Sequence, residues 1–514
     1  MSIVLATPSE PIDVPSRDDD LRRRLGRRVD GASLAVVRMV LGVLGVASAL
    51  RLTSRGWVDS LLVDPSNHLA YAGMSWVPVP QRVGAYALVA VVALSGVAVA
   101  LGWRYRVAVV VFALAFTWLE FVEASMYLNH YWFVTLLSLS MCALPADAVW
   151  SLDARRRRGS NDAATGQGSV AVAAVWLVRA QVAMVYLFAG IAKLHGDWLV
   201  RGLPLALWMP ARSDHPLLGP IVDLPHAAVV ASVAGAVFDC TIVVFLLWRR
   251  TRPVAWIVLV GFHVVTWMLF PVIGVFPWVM IAMSTVFFDP DWPRRVRARL
   301  RGPGTTPRHP AEPSRKTGHF DAEAAEPSRK TGHFDTEPAE LSRKTGHFDS
   351  GAGTIPDARS AGEVARPVAR WALVAATLWL LVQVALPLRH LAYPGDHRWT
   401  GQGYRFGWNV MLVEKAGDLS FRVTDPTTGA TVRDDASTLY TPVQWRVLVT
   451  DPELIRQAAH AVARAHGPGA EVRADAYVSL NGRPAERIVD PDVDLAAEPW
   501  RLGPQPWILP VPTP

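Results

Sequence analysis

Cysteine is nearly absent. Cys142 and Cys240 are the only two in 514 residues, so there is no disulfide framework and no cysteine-based metal site, and no metal is expected. Lysine is scarce too. Of five lysines, three stand in a repeated motif, one is Lys415, and the fifth is Lys193; elsewhere in the apolar part of the chain positive charge is arginine. The first thirty residues, acidic and then arginine-rich, lack the apolar core that precedes a cleavage site, so no signal peptide is expected. The formal net charge of +7 does not read as nucleic-acid binding, because the arginines cluster beside apolar runs, where they set membrane topology.

Apolar residues are what the chain has most of, at 51%, together with 21 tryptophans suited to interfacial belts. A bilayer core takes roughly 20 mostly apolar residues per helix. Runs of that kind predict nine spans: residues 33–50, 83–103, 107–123, 130–146, 170–193, 227–248, 253–270, 272–288 and 371–388. Basic clusters precede the first span and follow the second, fourth, sixth and eighth: Arg22–Arg24 with Arg27 and Arg28, Arg104 and Arg106, Arg155–Arg158, Arg249, Arg250 and Arg252, and Arg294–Arg301. Every alternate loop agrees, which puts the N-terminus in the cytoplasm and the C-terminus outside an inner membrane. The expected fold is a polytopic α-helical membrane protein of about nine transmembrane helices, plus a C-terminal extracytoplasmic α+β domain rich in strand.

The organisation follows. Residues 1–30 read as a disordered cytoplasmic tail, 31–293 as an eight-helix membrane domain, 294–366 as an insertion, 367–390 as the ninth helix and 391–514 as the outer domain. Within the insertion SRKTGHFD recurs at Ser314–Asp321, Ser328–Asp335 and Ser342–Asp349. Three evenly spaced histidines suggest metal capture, but the stretch is too poor in apolar residues to fold alone and reads as disordered. In the outer domain, residues 419–423, 441–449 and 471–480 alternate as strands do, Asp451–His466 repeats at helical spacing, and Asn481-Gly482 is a hairpin turn signal.

Charge at bilayer depth is costly and faces a cavity or a partner. Arg179, Lys193, Asp239, His130 and His263 are the candidates. Arginine holds its proton at any usable pH, whereas a desolvated lysine can give its own up. A membrane-embedded base for a phenol-like group is therefore lysine or histidine. Lys193 fits that need; a lysine snorkelling at a helix end is the plainer alternative. His130 opens the fourth span at the same boundary, where the two could share a pocket or the histidine could simply be hydrogen-bonded. His263 lies near mid-depth with its role open. Arg179 and Asp239 each sit about ten residues from the cytoplasmic ends of neighbouring spans, which predicts a buried structural ion pair.

Assembled, these residues resemble the vitamin K-dependent γ-glutamyl carboxylase family, including bacterial members built on the horizontally transferred transmembrane (HTTM) domain. The resemblance runs from about Ser33 to Leu509, interrupted by the insertion. It is carried by Tyr127-Leu128-Asn129-His130-Tyr131, by Phe188-Ala189-Gly190-Ile191-Ala192-Lys193-Leu194 with Asp197-Trp198, by Phe262-His263 and Ile273-Gly274-Val275-Phe276-Pro277-Trp278, and by Ser479-Leu480-Asn481-Gly482-Arg483 with Asp490-Pro491. Thr266 departs from it, standing where the family usually has asparagine.

The resemblance implies that Lys193 is the catalytic base and His130 the histidine that supports it. Asn129, Phe276, Met280 and Met411 fall on positions like the family's quinone pocket. It implies a reduced vitamin K-type naphthoquinone, dioxygen and carbon dioxide as co-substrates, with the quinone leaving as its epoxide. The partners it implies are membrane lipid and a glutamyl-containing protein or peptide. Two rivals stand beside this reading: a quinol-oxygenating enzyme with another acceptor, and a non-enzymatic transport or assembly protein on the same fold.

Overall fold

A computed structural model describes residues 17–159, 168–301 and 367–511. The SRKTGHFD repeats, and with them most of the expected insertion, lie outside the described residues.

Part of the N-terminal segment expected to be disordered is helical. Arg17–Gly26 is a helix (α1) with Asp18, Asp19 and Asp20 in its first turn and Arg23 and Arg24 in its last. That polarity complements the helix dipole, which the charge run alone did not disclose. Arg28–Asp30 (β1) then pairs antiparallel with Ser169–Ala171 (β2).

Helices stand at all nine expected spans. They are Ala32–Ser54 (α2), Arg82–Leu101 (α3), Tyr105–Phe121 (α4), Asn129–Ala143 (α5), Val172–Ala192 (α7), Ala227–Leu247 (α8), Arg252–Leu269 (α9), Phe276–Ser284 (α10) and Arg370–Leu388 (α12). Between them lie Leu152–Gly159 (α6) and Trp292–Arg301 (α11). Among the described residues, six helices are long and apolar enough to cross a membrane: α2, α3, α7, α8, α9 and α12. The other three are shorter, at 17 residues for α4, 15 for α5 and 9 for α10. In the eighth, Gly274 at φ 66°, ψ −126° adopts a conformation open only to glycine, so the helix starts at Phe276 rather than Val272. Helix α11 covers residues 294–301, which were expected to open the disordered insertion.

Buried arginines close helix ends in this bundle. Arg38 on α2 is fully buried and donates to the carbonyls of Val99, Ala100, Ala146 and Trp150, three of which lie at or just beyond the ends of α3 and α5. Carbonyls of a last helical turn lack the amide four residues on that interior ones bond.

The C-terminal domain is a four-stranded antiparallel sheet in the order β4-β3-β5-β6, with β3 at Lys415–Thr424, β4 at Thr431–Asp434, β5 at Glu471–Leu480 and β6 at Glu486–Arg487. Pro452–His466 (α14) packs its apolar stripe on the sheet, and Asp451 caps it from the expected position. Residues 441–449, expected as a strand, form the helix Pro442–Leu448 (α13). Thr441 and Gln444 make a reciprocal capping box and Pro442 takes the first helical position, so local start signals override the alternation. Asn481 and Gly482 turn the chain at φ 53° and 75°, as the dipeptide predicts.

Candidate functional site

Lys193 sits one residue beyond the last turn of α7. Side chains lean toward the N-terminus of their helix, so its stem runs back along α7 rather than out to solvent. The ammonium donates to the Ala189 carbonyl at 3.0 Å and to Asp239 Oδ2 on α8 at 2.9 Å, and stands 5.2 Å from the centre of the Trp198 ring. Lys193 and Asp239 are each 6% exposed.

The register of the two helices explains the pairing. A Cβ on Gly190 would lie 2.7 Å from Cys240 Sγ and 2.9 Å from its backbone nitrogen, so α7 and α8 touch at Gly190 and Asp239–Cys240. Arg179 is eleven residues from Gly190, roughly 16 Å along the axis at 1.5 Å per residue. It therefore does not pair with Asp239. Its guanidinium donates to the carbonyls of Val286, Phe287 and Phe288 at 2.9, 3.3 and 3.0 Å, closing the end of the segment that follows α10. Counting residues from predicted span ends had put both groups at one depth; those ends are not level.

A cavity of about 310 Å³ opens beside the pair. Lys193, Asp239, Tyr186 and His263 line its polar side, and Phe262, Phe270, Phe276, Met280 and Met411 much of the rest. The Tyr186 hydroxyl and His263 Nε2 are 2.8 Å apart and both residues are buried. So Lys193, His263, Phe276, Met280 and Met411 converge. His130 and Asn129 do not line this cavity. The His130 ring stands 6.2 Å from that of Phe276, with Nε2 buried and without a hydrogen-bond partner, while Asn129 accepts from the Tyr127 hydroxyl at 3.0 Å. Tyr186 and Asp239's role as the lysine's partner escaped the sequence reading. Tyr186, Ala189 and Lys193 follow i, i+3, i+7 spacing, so one helix face carries all three.

The segment that brings in Met411 is bent tightly. Phe406, Trp408 and Met411 all have φ between 54° and 61°, a region that costs a non-glycine residue about 1 kcal/mol or more. Packing holds them there: Trp408 is 1% exposed, and Phe406 is enclosed by Tyr71, Phe121, Tyr127 and Trp132.

A group of polar side chains gathers around the residues that follow α7. Arg398 pairs with Asp396 and touches His195 Nδ1, and the rings of His390 and His397 are 4.2 Å apart. Burial, then the neighbouring Arg398 charge, pulls His195 down to about 4; burial and His390 do the same to His397, so both are neutral at pH 7. Asp197, four residues past Lys193, accepts from Asn481 Nδ2 at 3.1 Å and Arg483 at 2.6 Å. Burial opposes its charge, but these donors outweigh it and hold the carboxyl down to about 2. Lys415 donates to the Trp399 and Thr450 carbonyls, and burial lowers it to about 8. Among the described residues no cluster of three or more His, Cys, Asp or Glu is arranged to hold a metal ion.

Six helices long and apolar enough to cross a membrane, a buried amine–carboxylate pair beside an apolar cavity and a C-terminal β-sheet domain mark a multi-pass membrane protein. The sequence matches the family model of the HTTM domain over residues 26–292 and that of the vitamin K-dependent gamma-carboxylase, lumenal domain over residues 368–514. The chain belongs to the vitamin K-dependent γ-carboxylase family. No solved structure matches it.

Proposed function

We propose that this chain is a membrane-embedded γ-glutamyl carboxylase that couples oxygenation of a reduced vitamin K-type quinone to carboxylation of glutamyl residues. The reading carries with it a bacterial inner membrane, the N-terminus in the cytoplasm and the C-terminal domain outside. The observation that supports it most is the Lys193 amine, buried and bonded to Asp239 on the wall of an apolar cavity. A flat bicyclic ring suits such walls, with few polar groups to orient it.

An ammonium beside a carboxylate is not a base. Lys193 becomes one when the proton in the 2.9 Å N···O hydrogen bond shifts to Asp239, an exchange that leaves the pair neutral overall. The free amine then takes a proton from a ring hydroxyl, leaving a ring oxyanion beside the new ammonium, while Asp239 keeps the proton it received. The reduced quinone, with dioxygen, supplies the strong base that removes the glutamyl γ-proton ahead of carbon dioxide capture. The chain's part is to hold Lys193, to orient the ring with Phe276 and Met280, and to keep water from quenching that base. Tyr186 fixes His263 on the same wall, and His130 supports the ring of Phe276 from behind.

The test incubates the protein with a reduced naphthoquinone, labelled bicarbonate and a glutamyl peptide. Epoxide and labelled peptide together are expected. Epoxide without label would favour a different acceptor, and neither product would sink the proposal. Lys193→Ala removes a general base and should lower epoxide formation per folded molecule at least ~100-fold.

A further inference from the structure

We infer that the cavity opens sideways to lipid through a cleft between α8 and α9, and that an isoprenoid chain attached to the bound ring leaves the protein there. The inference rests on the quinone reading above and adds to it the route by which the chain leaves.

The cavity wall is of two kinds. Lys193, Asp239 and His263, at its inner end, are 6%, 6% and 4% exposed. On the α8–α9 side it is lined by Ala234, Gly261 and Val265, all exposed, with Val265 at 43%. A residue that both lines a cavity and lies on the outer surface of a bundle marks a mouth. The helix-facing glycines agree. Gly190 leaves no room for a Cβ between α7 and α8, whereas a Cβ on Gly261 would meet nothing within 4 Å. One on Gly235 would meet only Trp198, at 3.9 Å. So α8 is locked against α7, while Gly235 and Gly261 leave open space beside the cavity.

Aromatic pairs bound the gap. Toward one end Phe238 and Phe262 stack with centroids 3.9 Å apart, closing α8 onto α9. Toward the other, Phe270 meets Trp208 edge-on at 5.9 Å. Between them the wall is Ala and Gly, with Val237, Val258 and Val265 on the lipid-facing surface around it. No charged side chain lines the mouth; the cavity's charged groups are Lys193 and Asp239, at its inner end. A polar headgroup gains nothing at such an opening, whereas a linear apolar chain does. A cavity of about 310 Å³ is at the small end for ligand pockets, enough for a bicyclic ring but not for several isoprene units as well. The chain has to leave, and this is where the wall is thin and apolar.

Gly261→Leu tests this without disturbing the packing, since the new side chain enters open space. Two oxidised probes are compared by equilibrium binding to the detergent-solubilised full chain: 2-methyl-1,4-naphthoquinone, and the same ring carrying a chain of several isoprene units. The variant should weaken binding of the chain-bearing probe at least ~10-fold and that of the bare ring by less than ~2-fold. Val107→Leu, on the exposed face of α4 and outside the cavity lining, should alter neither. Equal effects of Gly261→Leu on both probes, no effect on either, or an unmodified protein that binds only the bare ring would overturn the cleft while leaving the quinone reading standing. An unmodified protein that binds neither would overturn both.

Discussion

At the residue scale the site turns on one ion pair, and its energetics can be separated from its chemistry. Taking one partner from a buried pair leaves an uncompensated charge, whereas replacing both with apolar groups of similar volume is often neutral or better. Asp239→Leu should therefore destabilise the protein by about 3–5 kcal/mol, and adding Lys193→Met should restore most of that loss. Thermal unfolding in detergent measures it; a double variant no more stable than Asp239→Leu would mean the two groups are not coupled. Lys193 itself was legible, because a lone lysine among arginines stands out and composition alone locates it. Its partner was not. Depth inside a membrane was judged from where apolar runs end, and the helices are offset, so Asp239 was assigned to Arg179.

At the element scale, what sets that offset is the contact of α7 with α8. Glycine at position 190 lets the backbone of Asp239 and Cys240 approach, and with it the Lys193 ammonium reaches the carboxylate. Gly190→Val would insert two methyl groups beyond a Cβ that is already in collision. We expect a loss of about 1–3 kcal/mol from overpacking. Activity should fall by more than Tm predicts, since the helices part at the pair; equal stability and turnover in variant and parent would show the contact to be loose. Helix positions were readable from hydropathy, including α10, whose end was misjudged because Gly274 breaks an apolar run without interrupting it. The helix at Pro442–Leu448 was misread for a different reason: apolar residues alternate there, yet Thr441, Pro442 and Gln444 already spell a helix start. Arg179 and Arg38 show the same limit from the other side, since a sequence gives no sign of which carbonyls are orphaned.

At the scale of the whole molecule, the C-terminal domain is joined to the bundle beside the site. Glu123, at the end of α4, is fully buried and accepts from the Leu69 amide at 3.1 Å and from Gln444 of α13 at 3.1 Å. Asp197 makes the second tie, to the Asn481–Arg483 turn, four residues from Lys193. Both partners of that tie were visible as stretches of family resemblance; that they bind each other was not, because 284 positions separate Asp197 from Asn481. The tie has a pH signature. Asp197 is held down to about 2 in the folded protein against an ordinary value of 3.8, so its contribution to stability is fully present above about pH 4 and is lost as pH falls through 2. Asparagine cannot carry the charge, and at low pH the protonated aspartic acid resembles it. The difference in Tm between the parent and Asp197→Asn should thus be constant from pH 7 to 5, narrow between about 4 and 2, and close below that. A gap that persists unchanged to pH 2 would mean that the carboxylate's charge does not hold the domain, and that its hydrogen-bonding shape alone does.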